Sequence, residues 1–192
     1  MKNILKFSNK YINPHQNKID ALPNNIDIKK ISHFFSDNYN IDSQIDQDII
    51  KPFTRDWSNI PGGKADILIR PKTAEQCAII LRICKFQKFP ITISAGQTNL
   101  TGSATPQGGV ILSTSNLKTP LIEVDTNNKL VCTPVGIPLE DMREEVLKCS
   151  NNTLYYPVDP TSRYDAYVGG TLSCNASGFI PGEKGATRYW VQ

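Results

Sequence analysis

The sequence is poor in the residues that build metal centres. It holds only two histidines, His15 and His33. Neither stands at ligand spacing from a second His or Cys, so both read as solvated histidines and no metal site is expected. Cysteine is scarce as a framework: five residues, Cys77, Cys84, Cys132, Cys149 and Cys174, make an odd number without a Cys-x-x-Cys pair. That usage excludes a disulfide scaffold and fits reduced thiols packing as small hydrophobes in a cytoplasmic protein. Long apolar runs are lacking, so no membrane span is expected, and the opening Met1-Lys2-Asn3-Ile4-Leu5-Lys6 has no signal-peptide core. Charge of one sign is lacking too: the net charge is +3 and Lys and Arg are scattered, which argues against nucleic acid as a partner. No Gly-x-Gly-x-x-Gly joins a strand to a helix, which makes a nicotinamide-binding fold the weaker reading, and no Gly-Lys-Ser/Thr ends a loop, so a P-loop phosphate site fails.

What is present is a chain of 192 residues with 39% hydrophobic and 20% charged content, the profile of a globular domain. Residues 1 to about 25 are rich in Asn and Lys and predict an extended or disordered lead-in. Ile28, Ile31, Phe34 and Phe35 recur at helical intervals and predict a helix from Asp27 to Asp37. Residues 49–61 read as loop. A strand at Ala65–Ile69 follows, then a helix opened by Thr73 as N-cap and running to Gln87, with Ala78, Ile79, Leu81, Ile83 and Phe86 on its buried face. A buried strand at Ile91–Ile93 completes a strand–helix–strand unit, which points to parallel pairing. Gly108–Ser113 predicts a further strand. Pro120–Val124 and Lys129–Pro134 predict an antiparallel hairpin about Asp125-Thr126-Asn127-Asn128. Pro138–Lys148 predicts a helix with Leu139, Met142, Val146 and Leu147 inward.

Two stretches interrupt this pattern with glycine and hydroxyl residues. The first is Ser94-Ala95-Gly96-Gln97-Thr98-Asn99-Leu100-Thr101-Gly102, at the carboxyl end of a predicted strand, where ligands of parallel units sit. Small side chains allow close backbone approach, and successive N–H groups form an anion-binding concavity. The second is Val168-Gly169-Gly170-Thr171-Leu172-Ser173-Cys174-Asn175-Ala176-Ser177-Gly178, after the turn Tyr156–Ser162. It reads as a second loop able to meet a phosphate with its backbone.

The order of these pieces resembles the flavin-binding half of the FAD-linked oxidases of the vanillyl-alcohol oxidase and p-cresol methylhydroxylase (PCMH) type. Asp56 with Ser58, Ile69–Gln76, the 94–102 stretch in its Gly-x-Thr-x-Leu-x-Gly form, and Asp159-Pro160 followed by 168–178 carry the match. The first loop is most similar to that of D-lactate dehydrogenases and glycolate oxidase flavin subunits. The resemblance implies an α+β, PCMH-type FAD-binding fold: a small parallel βαβ subdomain over 50–118, then a larger mixed-sheet subdomain over 119–192, with 1–49 as lead-in. It implies FAD as cofactor, held by Ser94–Gly102, Pro134, Gly136, Pro157, Asp159, Pro160, Gly169, Gly170, Thr171, Asn175, Ser177 and Gly178. Relatives that bond the flavin covalently use a histidine near the first loop; Ala95 and Gln97 flank Gly96 here, which implies noncovalent FAD. The implied reaction oxidises a 2-hydroxy acid, like D-lactate or glycolate, to the 2-oxo acid, with hydride passing to the flavin. Relatives continue into a substrate domain that supplies acid–base groups, so the expectation is an incomplete domain, inactive alone, whose missing part is a C-terminal domain or partner subunit. A nonenzymatic flavin-binding module or one subunit of a split enzyme is the alternative. No catalytic base is identified in this chain.

Overall fold

The computed structural model describes residues 10–192; the part of the expected lead-in over residues 1–9 lies outside them. The chain divides into two compact units, residues 10–94 with 100–113 and residues 95–99 with 114–192.

The first unit is built on a four-stranded sheet of β1 (Asp42–Gln44), β2 (Ile67–Arg70), β3 (Ile91–Ser94) and β4 (Val110–Ser113), ordered β1-β2-β4-β3. β4 pairs parallel with β2 and with β3, and β1 pairs antiparallel with β2. The strand–helix–strand unit read from sequence is therefore real, but β4 lies between its two strands. That leaves β3 at an edge with Ile93 52% exposed, which corrects the expectation of a buried strand. β1 has no strand signal, being Asp-Ser-Gln; it is held by its ladder and by Asp42, whose Oδ2 accepts from Arg70 Nε at 2.7 Å across the same register pair.

Alternation along β2 and β4 splits the core. Ile67, Ile69, Val110 and Leu112 point to one face, with α2 (Ile28–Tyr39) and α4 (Ala74–Gln87); Leu68 and Ile111 point to the other, with Ile50 of α3 (Gln47–Ile50), Ala65 and Phe53. Each fully buried side chain of this kind stabilises by roughly 1.5–3 kcal/mol. Two helix starts follow the sequence reading: Asp27 accepts from Lys29 N–H at the N-terminus of α2, and Thr73 Oγ1 from Gln76 N–H at 3.1 Å in α4. The buried face of α4 differs from expectation. Ile79 and Ile83 are buried as expected, together with Ile80, Cys84 and Gln87, whereas Leu81 and Phe86 are exposed, because the face that meets the sheet runs through 79, 80, 83, 84 and 87. Before α2, residues 13–15 form a 3-10 turn and Gln16–Asp20 form α1, with Ile12, Ile19 and Leu22 buried; the described part of the lead-in is thus ordered by apolar contact. The stretch read as loop over 49–61 likewise begins with the end of α3 and a 3-10 turn at Lys51–Phe53. His33 is exposed, while His15 Nε2 lies 2.9 Å from Glu75 Oε1 and its ring meets Tyr39 edge-on, so His15 is a packed residue rather than a solvated one.

The second unit holds the predicted hairpin, β5 (Glu123–Asp125) against β6 (Leu130–Cys132). Asp125 Oδ1 accepts from Asn128 N–H at 2.9 Å and closes the turn. α5 (Leu139–Cys149) buries Leu139, Met142 and Val146; Leu147 is exposed, against expectation. Its small core is Ile137, Leu139 and Met142, with Ile122, Val131, Tyr156 and Val168 against them. A short helix, α6 (Val168–Ser173), occupies the start of the second glycine stretch.

Candidate functional site

Most of the residues of the two glycine motifs come together in the second unit, and glycine is what allows it. Segment 95–99 belongs to this unit although it follows β3 directly. Gly96 lies on the main chain of Asp165: a Cβ there would stand 1.7 Å from the Asp165 carbonyl oxygen. Gly178 lies on Asp159 in the same manner, at 2.0 Å from its carbonyl oxygen. Gly169 sits against Val135, with 2.8 Å to Val135 Cβ, and Gly136 against Thr114, with 2.2 Å to its carbonyl oxygen. No side chain fits at any of these crossings, so the glycines are demanded by chain meeting chain. Gly170 is different. A Cβ there would meet only Ala95 Cβ, at 3.4 Å, an ordinary contact. Ala95 of the first motif and Gly170 of the second thus face each other as two small residues.

Hydrogen bonds sharpen the picture and correct part of it. The 168–178 stretch is not an open loop offering N–H groups. Val168 N–H donates to Ile137 O and Gly169 N–H to Val135 O, each at 3.0 Å. Thr171 is buried, and its hydroxyl donates to Val168 O at 2.8 Å, inside α6. Ala176 N–H goes to Thr171 O and Phe179 N–H to Asp159 O. Asn175 takes a left-handed φ of 50° and its Oδ1 accepts from Arg188 N–H; Ser177 bridges to Ala186. Gln97 also takes a left-handed φ, 57°, which turns the chain within segment 95–99. Pro134, Gly136 and Pro160 are buried and Pro157 is half-buried, so these line the unit from within.

Asp159 is engaged by its side chain as well. Its Oδ1 accepts from Arg163 Nη1 at 3.0 Å and lies 3.1 Å from Arg143 Nη1. Glu140 Oε2 in turn lies 3.2 Å from Arg143 Nε and 3.0 Å from Arg163 Nε, both charge contacts without hydrogen-bond alignment. Two carboxylates and two guanidiniums thus form a closed ring. Arg143 Nη1 adds a bond to Val158 O at 2.7 Å. Sequence reading missed this ring and missed Asp165. The Glu140–Arg143 and Asp159–Arg163 spacings carry a faint signal for the ring, whereas a backbone carbonyl such as Asp165 O has none. Burial pushes the Tyr156 hydroxyl above its ordinary value, so it stays neutral beside this unit's core.

The remaining motif residues belong to the first unit. Ser94 is buried at the end of β3, in register with Ser113. Leu100 and Thr101 are exposed, and Gly102 takes a φ of 77° with a virtual Cβ 2.2 Å from Ile60 Cδ1. Asp56, itself buried, holds this corner: its carboxylate accepts from Ser58 N–H at 3.0 Å, from the Ser58 hydroxyl, and from Ala104 N–H at 3.2 Å. Asp56 with Ser58, singled out from sequence, is therefore a local clamp on the chain just after the first loop.

Residues 65–192 match the FAD binding domain family, two thirds of the chain. This chain belongs to the FAD binding domain family. FAD is its cofactor, as the resemblance implied. A D-lactate dehydrogenase of Anaerostipes hadrus is 29% identical over 149 residues, 77% of this chain and 30% of the relative. A mitochondrial D-2-hydroxyglutarate dehydrogenase of Danio rerio is 27% identical over 133 residues, 69% of this chain and 24% of the relative. The chain thus spans less than a third of the length of these curated relatives. Among solved structures, an alkyldihydroxyacetonephosphate synthase superposes with a TM-score of 0.71 over 88% of this chain and 32% of its own, at 15% identity, a likeness of fold. The α+β, PCMH-type fold expected from the sequence is the one observed. No helix among the described residues is long and apolar enough to cross a membrane.

Proposed function

We propose that this chain supplies the FAD cradle of an oxidoreductase that converts a 2-hydroxy acid, of the D-lactate or glycolate type, to the 2-oxo acid. The observation that carries the reading is the meeting of the two glycine motifs in one unit, with Ala95 facing Gly170, Gly96 on Asp165 and Gly178 on Asp159. Ala95 and Gly170, the pair whose side-chain space main chain does not fill, leave room for a flat, phosphate-bearing ligand. Ala95–Asn99 would hold the pyrophosphate, with the Thr98 hydroxyl as a further donor. Gly136, Pro157 and Pro160 would shape the wall, Gly170 would admit the cofactor's approach, and Gly169 and Gly178 would hold the chain crossings behind it. FAD, when bound, supplies the acceptor for the hydride from C2 of the hydroxy acid, while a base takes the hydroxyl proton. Neither histidine belongs to the second unit, and no residue of this chain is assigned as that base.

The FAD is held noncovalently in this reading, since Ala95 and Gln97 flank Gly96 where a linking histidine would stand. The function is tested by loading the purified chain with FAD, removing free flavin by gel filtration, and adding D-lactate, glycolate or D-2-hydroxyglutarate without oxygen, alone and with any copurifying partner. Loss of the visible flavin band with one hydroxy acid supports the reading and names the substrate. A band that co-elutes but survives all of them in preparations holding the partner that supplies the base defeats the hydroxy-acid assignment and leaves the FAD cradle.

A further inference from the structure

The ring of Glu140, Arg143, Asp159 and Arg163 holds four charges at 17–28% side-chain exposure. Ion pairs so placed gain little net stability over apolar packing, because desolvation offsets attraction. Direction comes from the hydrogen bond of Arg163 to Asp159, with the charge contacts of Glu140 and Arg143 closing the ring around it. The segment they direct runs from Val158 to Ala166. It is tied to the start of α5 a second way: Leu139 N–H donates to Ala166 O at 2.8 Å and Glu140 N–H to Arg163 O at 3.1 Å, in place of a side-chain cap. Arg143 adds its bond to Val158 O. Both glycine motifs rest on this one segment, Gly178 on Asp159 and Gly96 on Asp165.

We infer that the four-residue ring is a positioning device for the FAD cradle: it sets segment 158–166, and through Asp159 and Asp165 it sets the spacing of the two glycine motifs. Asp159 then acts through its main chain on Gly178 and through its carboxylate on the arginines, not as a direct contact of the cofactor. Glu140, Arg143 and Arg163 join it as positioning residues. The inference rests on the reading that these two motifs hold FAD.

The test is FAD titration of the full chain by quenching of flavin fluorescence, at a temperature where circular dichroism shows each variant folded. Arg163→Met keeps the aliphatic stem and removes two links of the ring; it should weaken FAD binding about ten-fold and alter the shape of the bound flavin's visible band. Arg163→Lys, a charge without the fork, should recover part of that loss and part of the native band shape. Lys148→Met removes an exposed pair with Glu145 outside the ring and should change neither. If Arg163→Met does not fold, Glu140→Gln, nearly equal in shape, decides by the same criteria. A folded variant that binds FAD within about two-fold of the parent with an unchanged band overturns the positioning role. Failure of the parent chain itself to bind FAD overturns the cradle reading and the ring's role with it.

Discussion

Gly170 and Gly96 answer to different neighbours, and that separates cofactor effects from packing effects at the scale of one residue. Gly96→Ala would drive a Cβ to within 1.7 Å of Asp165 O, so the second unit must distort; loss of FAD binding together with a lowered melting temperature is expected, read by absorbance and circular dichroism. Gly170→Ala meets only Ala95 at 3.4 Å and lies in a helix, where Ala is favoured by about 0.5–1 kcal/mol over Gly. Its melting temperature should not fall. Gly170→Asp should fold and lose FAD, because it sets a carboxylate where phosphate is expected. Retained FAD affinity in Gly170→Asp, by titration, would contradict the cradle. The cysteines divide as clearly. Burial pushes the Cys84 thiol up to about 12 from an ordinary 9.0. Its folded value lies above its unfolded one, so its share of stability is whole below about pH 9 and declines as pH rises toward 12. With a thiol reagent at neutral pH, exposed Cys132 and Cys174 should react first. Cys149 should follow, its thiol held up by the hydrogen bond to Glu145 at 3.2 Å, and Cys84 should react only on unfolding.

Elements owe their limits to a few polar contacts. Thr73 closes the start of α4, and Thr73→Ala should cost about 1 kcal/mol by urea unfolding, since it orphans the Gln76 N–H. A change below the error of that measurement would show that packing alone fixes the helix start. The helices α2 and α4 were legible because capping residue and apolar period agree, α5 from its apolar period after Pro138, and the β5–β6 hairpin from its Asp125–Asn128 turn. β1 was not legible: Asp42, Ser43 and Gln44 carry no strand preference, and only the open edge of β2 with Arg70 makes them a strand. α6 was read as loop because Gly169 and Gly170 disfavour helix; its donors to Val135 and Ile137 and its packing beside α5 decide otherwise.

Over the whole molecule, the proposed noncovalent hold on FAD has a direct consequence. Denaturing a yellow preparation and precipitating the protein should leave all flavin in the supernatant and no fluorescent band on a denaturing gel. A fluorescent band at the mass of the chain would place a covalent link. Each unit carries its own core, the larger on two faces of the four-stranded sheet and the smaller around Ile137, Leu139 and Met142. The chain passes between the units at Ser94–Ala95, Asn99–Leu100 and Ser113–Thr114, so the first glycine stretch is itself shared by the two.

By itself the sequence determined which segments are helix or strand where local signals concur, that two glycine-rich stretches follow apolar segments, and that their spacing resembles an FAD domain. These are properties of neighbours along the chain, and periodicity, caps and turn residues report them. Tertiary structure decided that β4 divides β2 from β3, that Leu81, Phe86 and Leu147 face out, that segment 95–99 belongs with 168–178, and that Gly96 and Gly178 both press on one segment steered by four charges. Those facts depend on which strand fills a free edge and on which carbonyl meets which α-carbon. Such meetings occur between residues far apart in sequence, through backbone atoms that every residue shares.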